Sequence, residues 1–225
     1  MYIKNLPDFL TSIHKHLIIL NLFVILMNLS KEKQVMLSAS KKAGKVILKY
    51  FGKKEIGKEK PNKSLVSKAD LEANEVIIKA IKERFPKHSI LSEETGFENN
   101  DSDYKWVIDP IDGTHNFLRG IPIVGTSIAL EYKNEAVLGV LGFPTLKLTA
   151  VAERGKGAFL NGKRLKVSEN KEITHSFAVY EFVPGTRHKA LEFLKRLSSE
   201  TINIRNFGSR HCRDCRAECS LSTSL

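Results

Sequence analysis

The residues best suited to chemistry fall in one stretch, Asp109-Pro110-Ile111-Asp112-Gly113-Thr114, directly after the apolar run Trp106-Val107-Ile108. A buried strand ending at Asp109 would place its carboxylate at the sheet's edge. Pro110 lacks an N–H for ladder continuation, and Gly113 permits a tight turn. Hard cations take carboxylates and carbonyl oxygens, and Ile111 offers its C=O between two acids. The N–H groups of Gly113 and Thr114, at the start of a helix, are placed to hold a phosphate oxyanion. The Thr114 hydroxyl could orient a water. Upstream, Ser92-Glu93-Glu94-Thr95-Gly96 ends another short strand with two more carboxylates, and Asp70 opens a helix. Together these describe a magnesium and phosphate site. Each fragment also has a plainer reading. D-P-x-D-G fits a turn with an Asx cap, Glu93-Glu94 a solvated turn, Asp70 a helix cap, and His115 a surface residue beside the site.

The elements that must position these residues are legible around them. Val35, Ala39, Ala43, Val46, Ile47 and Tyr50 recur at helical spacing, with Gly52 as a stop. Ser67-Lys68-Ala69-Asp70 reads as a capping box. The helix it opens carries Leu71, Ala73, Val76, Ile77, Ala80 and Ile81, and ends before Pro86. Ser89–Ser92 is a short strand, and Trp106–Ile108 a second apolar run broken by Pro110. From Ile123 onward the pattern becomes strands. Val124, Thr126, Ile128 and Leu130 alternate with their neighbours, Lys133-Asn134 turns the chain, and Ala136–Leu141 returns. Leu148–Ala152 is another strand, and residues 158–165 form a hairpin around an Asn161-Gly162 type I′ turn. A strand over Ser176–Val183, a helix from Thr186 to Leu197 and a last strand over Ile202–Phe207 follow. Helices, then a meander, then αβ predict a layered α/β or α+β fold without regular βαβ winding.

The chain has 225 residues and a formal net charge of +11. Its 42% hydrophobic content supports a core, which excludes a wholly disordered chain. No P-loop, H-E-x-x-H or G-x-S-x-G motif occurs. The basic balance fits nucleic acid, an anionic membrane surface, phosphorylated small molecules or simply a Lys-rich solvated face. The densest stretch, Lys53–Lys63, contains Glu55 and Glu59 and no interleaved aromatic, so it favours the solvated face over nucleic acid.

The two ends differ from the middle. Leu17–Met27 is an apolar run of eleven residues, short of the roughly 20 that span a bilayer, so no transmembrane span is expected. It reads as a membrane-associating helix, as a signal segment without a cleavage site, or as sequence upstream of a start at Met27. All three cysteines, Cys212, Cys215 and Cys219, lie near the end beside His211. That cluster could ligate zinc, but an aberrant tail is the preferred reading. A body without cysteine suits a reducing cytoplasm. The expected organisation is an apolar extension over 1–29, one domain over 30–209 and an aberrant tail over 210–225.

The string W-V-I-D-P-I-D-G-T-x-N-F, preceded by S-E-E-T-G, closely resembles the inositol monophosphatase family of magnesium-dependent phosphatases. Leu65-Val66-Ser67-Lys68-Ala69-Asp70 is similar to the family's L-V-T-x-x-D segment, and residues 155–162 to its G-x-G-A-F-x-N-G hairpin. The resemblance covers about Asn28 to Ser209. It implies a layered α-β-α-β-α sandwich of the sugar-phosphatase type, here with an incomplete C-terminal layer, and hydrolysis of a small phosphomonoester. It also implies roles for single residues. Glu93 would ligate a first Mg2+ and touch the water nucleophile, Asp109 would bridge two Mg2+, Ile111 would give its carbonyl, and Asp112 would ligate the second. Thr114, partnered by Asp70, would help to activate water. Asp112, Gly113 and Thr114 would hold the phosphate. The Asn116-Phe117 pair resembles the inositol phosphatase branch, so inositol-1-phosphate is the expected substrate. Fructose-1,6-bisphosphate, 3′-phosphoadenosine nucleotides and histidinol phosphate are the alternatives. Intact members would allow a homodimer, and a non-catalytic role with RNA or transcription machinery is the other class. The family's W-D-x-A-A-G motif, which completes the second metal site, has no counterpart, since the only Trp is Trp106. A frameshift after about Ser209 would explain that, and low activity or poor solubility of this chain is the expectation.

Overall fold

The computed structural model describes residues 27–53, 58–59, 65–172, 174, 177–179, 187–201 and 203–205. The apolar run before Met27, positions 54–57 and 60–64, and the cysteine cluster lie outside the described residues. So do parts of the strand expected over Ser176–Val183 and of the one over Ile202–Phe207.

Helix α1 spans Ser30–Tyr50 and buries Met36, Ala39, Ser40, Ala43, Gly44, Val46 and Ile47 along one stripe. Two-residue strands β1 (Lys58–Glu59) and β2 (Leu65–Val66) pair antiparallel. Helix α2, Lys68–Lys82, opens with the expected capping box at Ser67 and Asp70. Such a cap is worth about 1 kcal/mol to the helix. Its buried stripe is Ala69, Asp70, Ala73, Asn74, Ile77, Ala80 and Ile81. Two polar residues therefore sit on the face that an apolar pattern would reserve for the core.

The main sheet has eight strands in the order β10-β9-β8-β7-β6-β5-β3-β4. These are β3 (Ser89–Ser92), β4 (Gly96–Glu98), β5 (Tyr104–Asp112), β6 (Gly125–Tyr132), β7 (Glu135–Phe143), β8 (Leu148–Glu153), β9 (Gly157–Leu160) and β10 (Lys163–Arg164). Only β3 and β5 pair parallel; every other neighbouring pair is antiparallel. The short helix α3, Thr114–Leu118, follows β5. A separate parallel pair, β11 (Phe177–Val179) with β12 (Asn203–Arg205), is joined through helix α4, Arg187–Glu200, as one βαβ unit.

Both tight hairpins adopt the expected turn. Lys133 and Asn134 have φ of 51° and 63°, and Asn161 has φ of 47°. The Asn161 side chain also accepts the Thr149 N–H at 2.8 Å and donates to the Lys147 carbonyl at 3.1 Å. The turn is thereby tied back to the start of β8.

Two sequence expectations change. First, β5 does not end at Asp109. It runs to Asp112, with a register shift between Asp109↔Ser127 and Asp112↔Gly125. The missing proline N–H is absorbed by this bulge, and the Pro110 carbonyl is satisfied by the Thr126 hydroxyl at 3.0 Å. Second, β6 is not half-buried. Ser127, Ala129 and Glu131 are buried like Thr126, Ile128 and Leu130. Trp106, Ile108, Ile128, Leu130, Leu138 and Val140 belong to the core cluster shared with α1 and α2. Side-chain alternation puts Lys105, Val107, Asp109, Ser127, Ala129 and Glu131 on the opposite face. There Lys105 and Glu131 form an ion pair at 2.7 Å. The second face is covered too, so small side chains replace the solvated ones that alternation suggests.

Helix α1 lies very close to β7. A methyl group added at Gly142 would collide with the Ser40 hydroxyl, and one at Gly44 would come within 3.2 Å of Pro144.

Candidate functional site

Because β3 and β5 are parallel and Ser92 pairs with Ile108, Glu93, just past the carboxyl end of β3, stands beside Asp109, which lies in the last stretch of β5. Open sheets gather ligand sites at such ends. The Glu93 N–H donates to the Ile108 carbonyl at 3.0 Å, which holds the first turn against the second strand.

From Asp109 the chain continues through the bulge to Asp112 and turns at Gly113, whose φ of 87° suits a residue without a side chain. Asp109 and Asp112 are 8% and 7% exposed. Helix α3 then begins with Thr114, and its first backbone bond runs from the Phe117 N–H to the Gly113 carbonyl at 2.9 Å. The N–H groups of Gly113 and Thr114 precede that bond and are not used by the helix ladder.

Thr114 ties this turn to α2. Its hydroxyl lies 3.3 Å from Asp70 Oδ1 and 3.2 Å from the Ile111 carbonyl. One hydroxyl has one proton, so the two acceptors compete for it. Asp70 is 1% exposed, and its other oxygen accepts from the Ser67 N–H at 2.8 Å and the Ser67 hydroxyl at 2.6 Å. The aspartate therefore serves two ends at once, capping its own helix and meeting the threonine of α3.

The other turn is built differently. Glu93 is exposed and Glu94 half-buried. Below them, Ser92 and Asn74 are both 2% exposed, and the Ser92 hydroxyl donates to Asn74 Oδ1 at 2.7 Å. The same Ser92 oxygen accepts the Glu94 N–H at 3.2 Å.

The structure thus brings Asp70, Ile111 and Thr114 into direct contact. It buries Asp109 and Asp112 at the end of β5, directly before Gly113, and leaves Glu93 exposed on the neighbouring turn. Among the described residues, no three His, Cys, Asp or Glu side chains converge as a finished cage for a metal ion. The donors nevertheless suit a hard cation in kind: carboxylates of Asp109, Asp112 and Glu93, and the Ile111 carbonyl, whose second lone pair remains when Thr114 uses one.

Sequence reasoning missed Asn74 and Ser92. Asn74 stands one helical turn after Asp70, but on an otherwise apolar stripe where spacing alone does not mark it. It also missed the holding role of Asn116, which donates to the Ile123 carbonyl at 2.9 Å and fixes the chain leaving α3. His115 is exposed, with Nδ1 3.4 Å from Arg119 Nη1, a surface residue beside the site.

The model of the inositol monophosphatase family matches residues 28–217. A fructose-1,6-bisphosphatase/inositol-1-monophosphatase from Aquifex aeolicus is 38% identical over 71% of this chain and 61% of its own length. A histidinol-phosphatase from Chlorobaculum parvum is 37% identical over 71% of this chain and 64% of its own length. Among solved structures, the extragenic suppressor protein suhB from Bartonella henselae superposes with a TM-score of 0.76 at 33% identity, covering 80% of this chain and 71% of that one. This chain spans somewhat over three fifths of the length of those two curated relatives. It belongs to the inositol monophosphatase family.

Proposed function

We propose that this member of the inositol monophosphatase family hydrolyses a small phosphomonoester with magnesium, inositol-1-phosphate being the first candidate substrate. The observation that carries the reading is the Thr114 hydroxyl poised between Asp70 Oδ1 and the Ile111 carbonyl at the end of β5. Relatives named for fructose-1,6-bisphosphate, inositol phosphate and histidinol phosphate leave the alcohol part open. They agree on removal of a phosphate.

Asp109, Asp112, Glu93 and the Ile111 carbonyl would hold the cation. When bound, it supplies positive charge that offsets the phosphoryl oxygens and acidifies water. The rest is done by the chain's own groups. If Ile111 turns its carbonyl to the cation, the Thr114 proton goes to Asp70. The Thr114 oxygen then has lone pairs directed outward that accept a hydrogen bond from water and orient it. Asp70 is the final acceptor of the proton, held in place by Ser67. The N–H groups of Gly113 and Thr114 bind phosphoryl oxygens. Water attacks phosphorus as its proton passes by way of Thr114 to Asp70, the P–O bond to the alcohol breaks, the departing alkoxide takes up a proton from solvent, to which Asp70 later returns its own, and inorganic phosphate and the free alcohol leave.

The test is phosphate release from inositol-1-phosphate with and without magnesium and lithium, alongside Asp109→Asn. Magnesium-dependent release that this substitution abolishes supports the reading; release indifferent to magnesium and to Asp109 refutes it. A second reading, non-catalytic binding of RNA, draws on the exposed side of α1, where Lys31, Lys41, Lys42 and Lys45 lie. RNA retention that weakens with salt and survives Asp109→Asn would favour it.

A further inference from the structure

The pair Asn74–Ser92 is buried, polar and outside the set of groups used above. Neither residue reaches the candidate chemistry directly. Their position is nonetheless specific. Asn74 lies one turn beyond Asp70 on α2, so a single helix touches both turns of the site. At Asp70 it meets Thr114, 44 positions away, and at Asn74 it meets Ser92, 18 positions away. Ser92 is the last residue of β3 and directly precedes Glu93.

We infer that Asn74 is a positioning residue, which through Ser92 sets the turn that presents Glu93 to a divalent cation. The inference rests on the reading of Glu93 as a cation ligand. The Ser92 hydroxyl is used twice. It donates to Asn74 Oδ1 at 2.7 Å and accepts the Glu94 N–H at 3.2 Å. The first bond points the oxygen's lone pairs towards the turn, and the second uses one of them to fold the backbone around Glu93. The Glu93 N–H on Ile108 adds a third tie, to β5. Glu93 is exposed, and these ties fix the backbone from which its carboxylate projects. Removing the Asn74 acceptor would let the Ser92 hydroxyl rotate, freeing the Glu94 N–H and the turn with it.

A purely structural role would cost stability and leave cation affinity alone. The two roles separate in a titration of Mn2+ into the full chain, read by water-proton relaxation, with thermal unfolding measured in parallel. Asn74→Leu keeps the volume and removes the acceptor. Ser92→Ala removes the hydroxyl with the least disturbance. Ser92→Thr keeps it. Loss of outer-shell partners weakens metal binding by about tenfold or more. We expect about a tenfold weaker Mn2+ affinity for Asn74→Leu and for Ser92→Ala, no further loss when the two are combined, and near-parental affinity for Ser92→Thr. Glu93→Gln is the control. If it weakens Mn2+ binding while folded Ser92→Ala and Asn74→Leu bind as the parent does, the positioning role is overturned and the Glu93 reading stands. If Glu93→Gln itself changes nothing, both fall together. Should Asn74→Leu not fold, Ser92→Ala against Ser92→Thr decides alone.

Discussion

The two turns that leave β3 and β5 start side by side, yet they are held in opposite ways. The turn after β5 is locked from within. The carboxylates that lead into it, Asp109 and Asp112, are buried, the bulge before it is tied by Thr126, and its threonine is clasped by Asp70. The turn after β3 is tied at its base by Ser92 and by the Glu93 N–H, and Glu93 is exposed. On the proposed function, the buried, rigid half would fix where charge and water are placed, and the open half would meet an arriving ion.

If that division is right, damage to the rigid half should lower the rate, and damage to the open half should alter ion affinity first. The largest effect is expected from Asp109→Asn. A near-isosteric change there removes a carboxylate from the buried end of β5 and should lower kcat for phosphate release by about 10³-fold or more, roughly the scale of losing a key electrostatic stabiliser. Thr114→Ala should follow, with a loss of about 10²–10³-fold in kcat, the range for a proton-handling group. Thr114→Ser should recover much of it, which steady-state kinetics on both variants would check. Glu93→Gln should be milder. The magnesium concentration for half-maximal rate should rise about tenfold, with kcat at saturation changed less than in Thr114→Ala. A larger kcat effect at Glu93 than at Thr114 would erase the contrast between the halves.

The smallest effect belongs to the shared foundation. His88 is stacked between Phe85 and Tyr104 at centroid distances of 4.8 and 4.7 Å, and its Nδ1 accepts the Trp106 Nε1–H at 3.1 Å. Burial holds its pKa below the ordinary 6.5. Above pH 6.5 the ring is neutral both folded and unfolded, and it adds no pH dependence. As pH falls below 6.5 the unfolded chain takes up a proton that the folded chain resists, so stability drops until the depressed folded pKa is reached. Thermal midpoints at pH 7.5 and 5.5 should differ in that sense, and His88→Phe should shrink the difference. Both turns should weaken together, since Trp106 lies on the strand that supports them.

What could be read beforehand follows from how local each feature is. The capping box and the Asn161-Gly162 turn are decided by residues adjacent in sequence, so composition and spacing reveal them. The Asp109–Thr114 turn was legible because its residue types are unusual together. The continuation of β5 through Pro110 was not, because it depends on the Thr126 hydroxyl arriving from the neighbouring strand. The double burial of β6 was hidden for a related reason. Ser127 and Ala129 look like solvent-side residues until a second covering is present. Asn74 was masked by its place on an apolar stripe, where only the distant Ser92 explains a polar side chain. In each case the missing information was a partner far along the chain.

The separation between partners also bears on the order in which the molecule assembles. Strands β6 to β10 connect in sequence as a meander, each closing on its predecessor over a short loop. The clasps of α2 on Thr114 and Ser92 instead close loops of 44 and 18 positions, at a greater entropic cost. The meander can therefore form early, and the clasps late. Native-state hydrogen exchange should show the amide of Glu94, on the exposed turn, opening at lower free energy than those of Ile128 and Val140. Equal protection would argue for one cooperative unit. On this view the site is the kinetic frontier of the fold, the part whose completion tells the rest of the chain that folding is done.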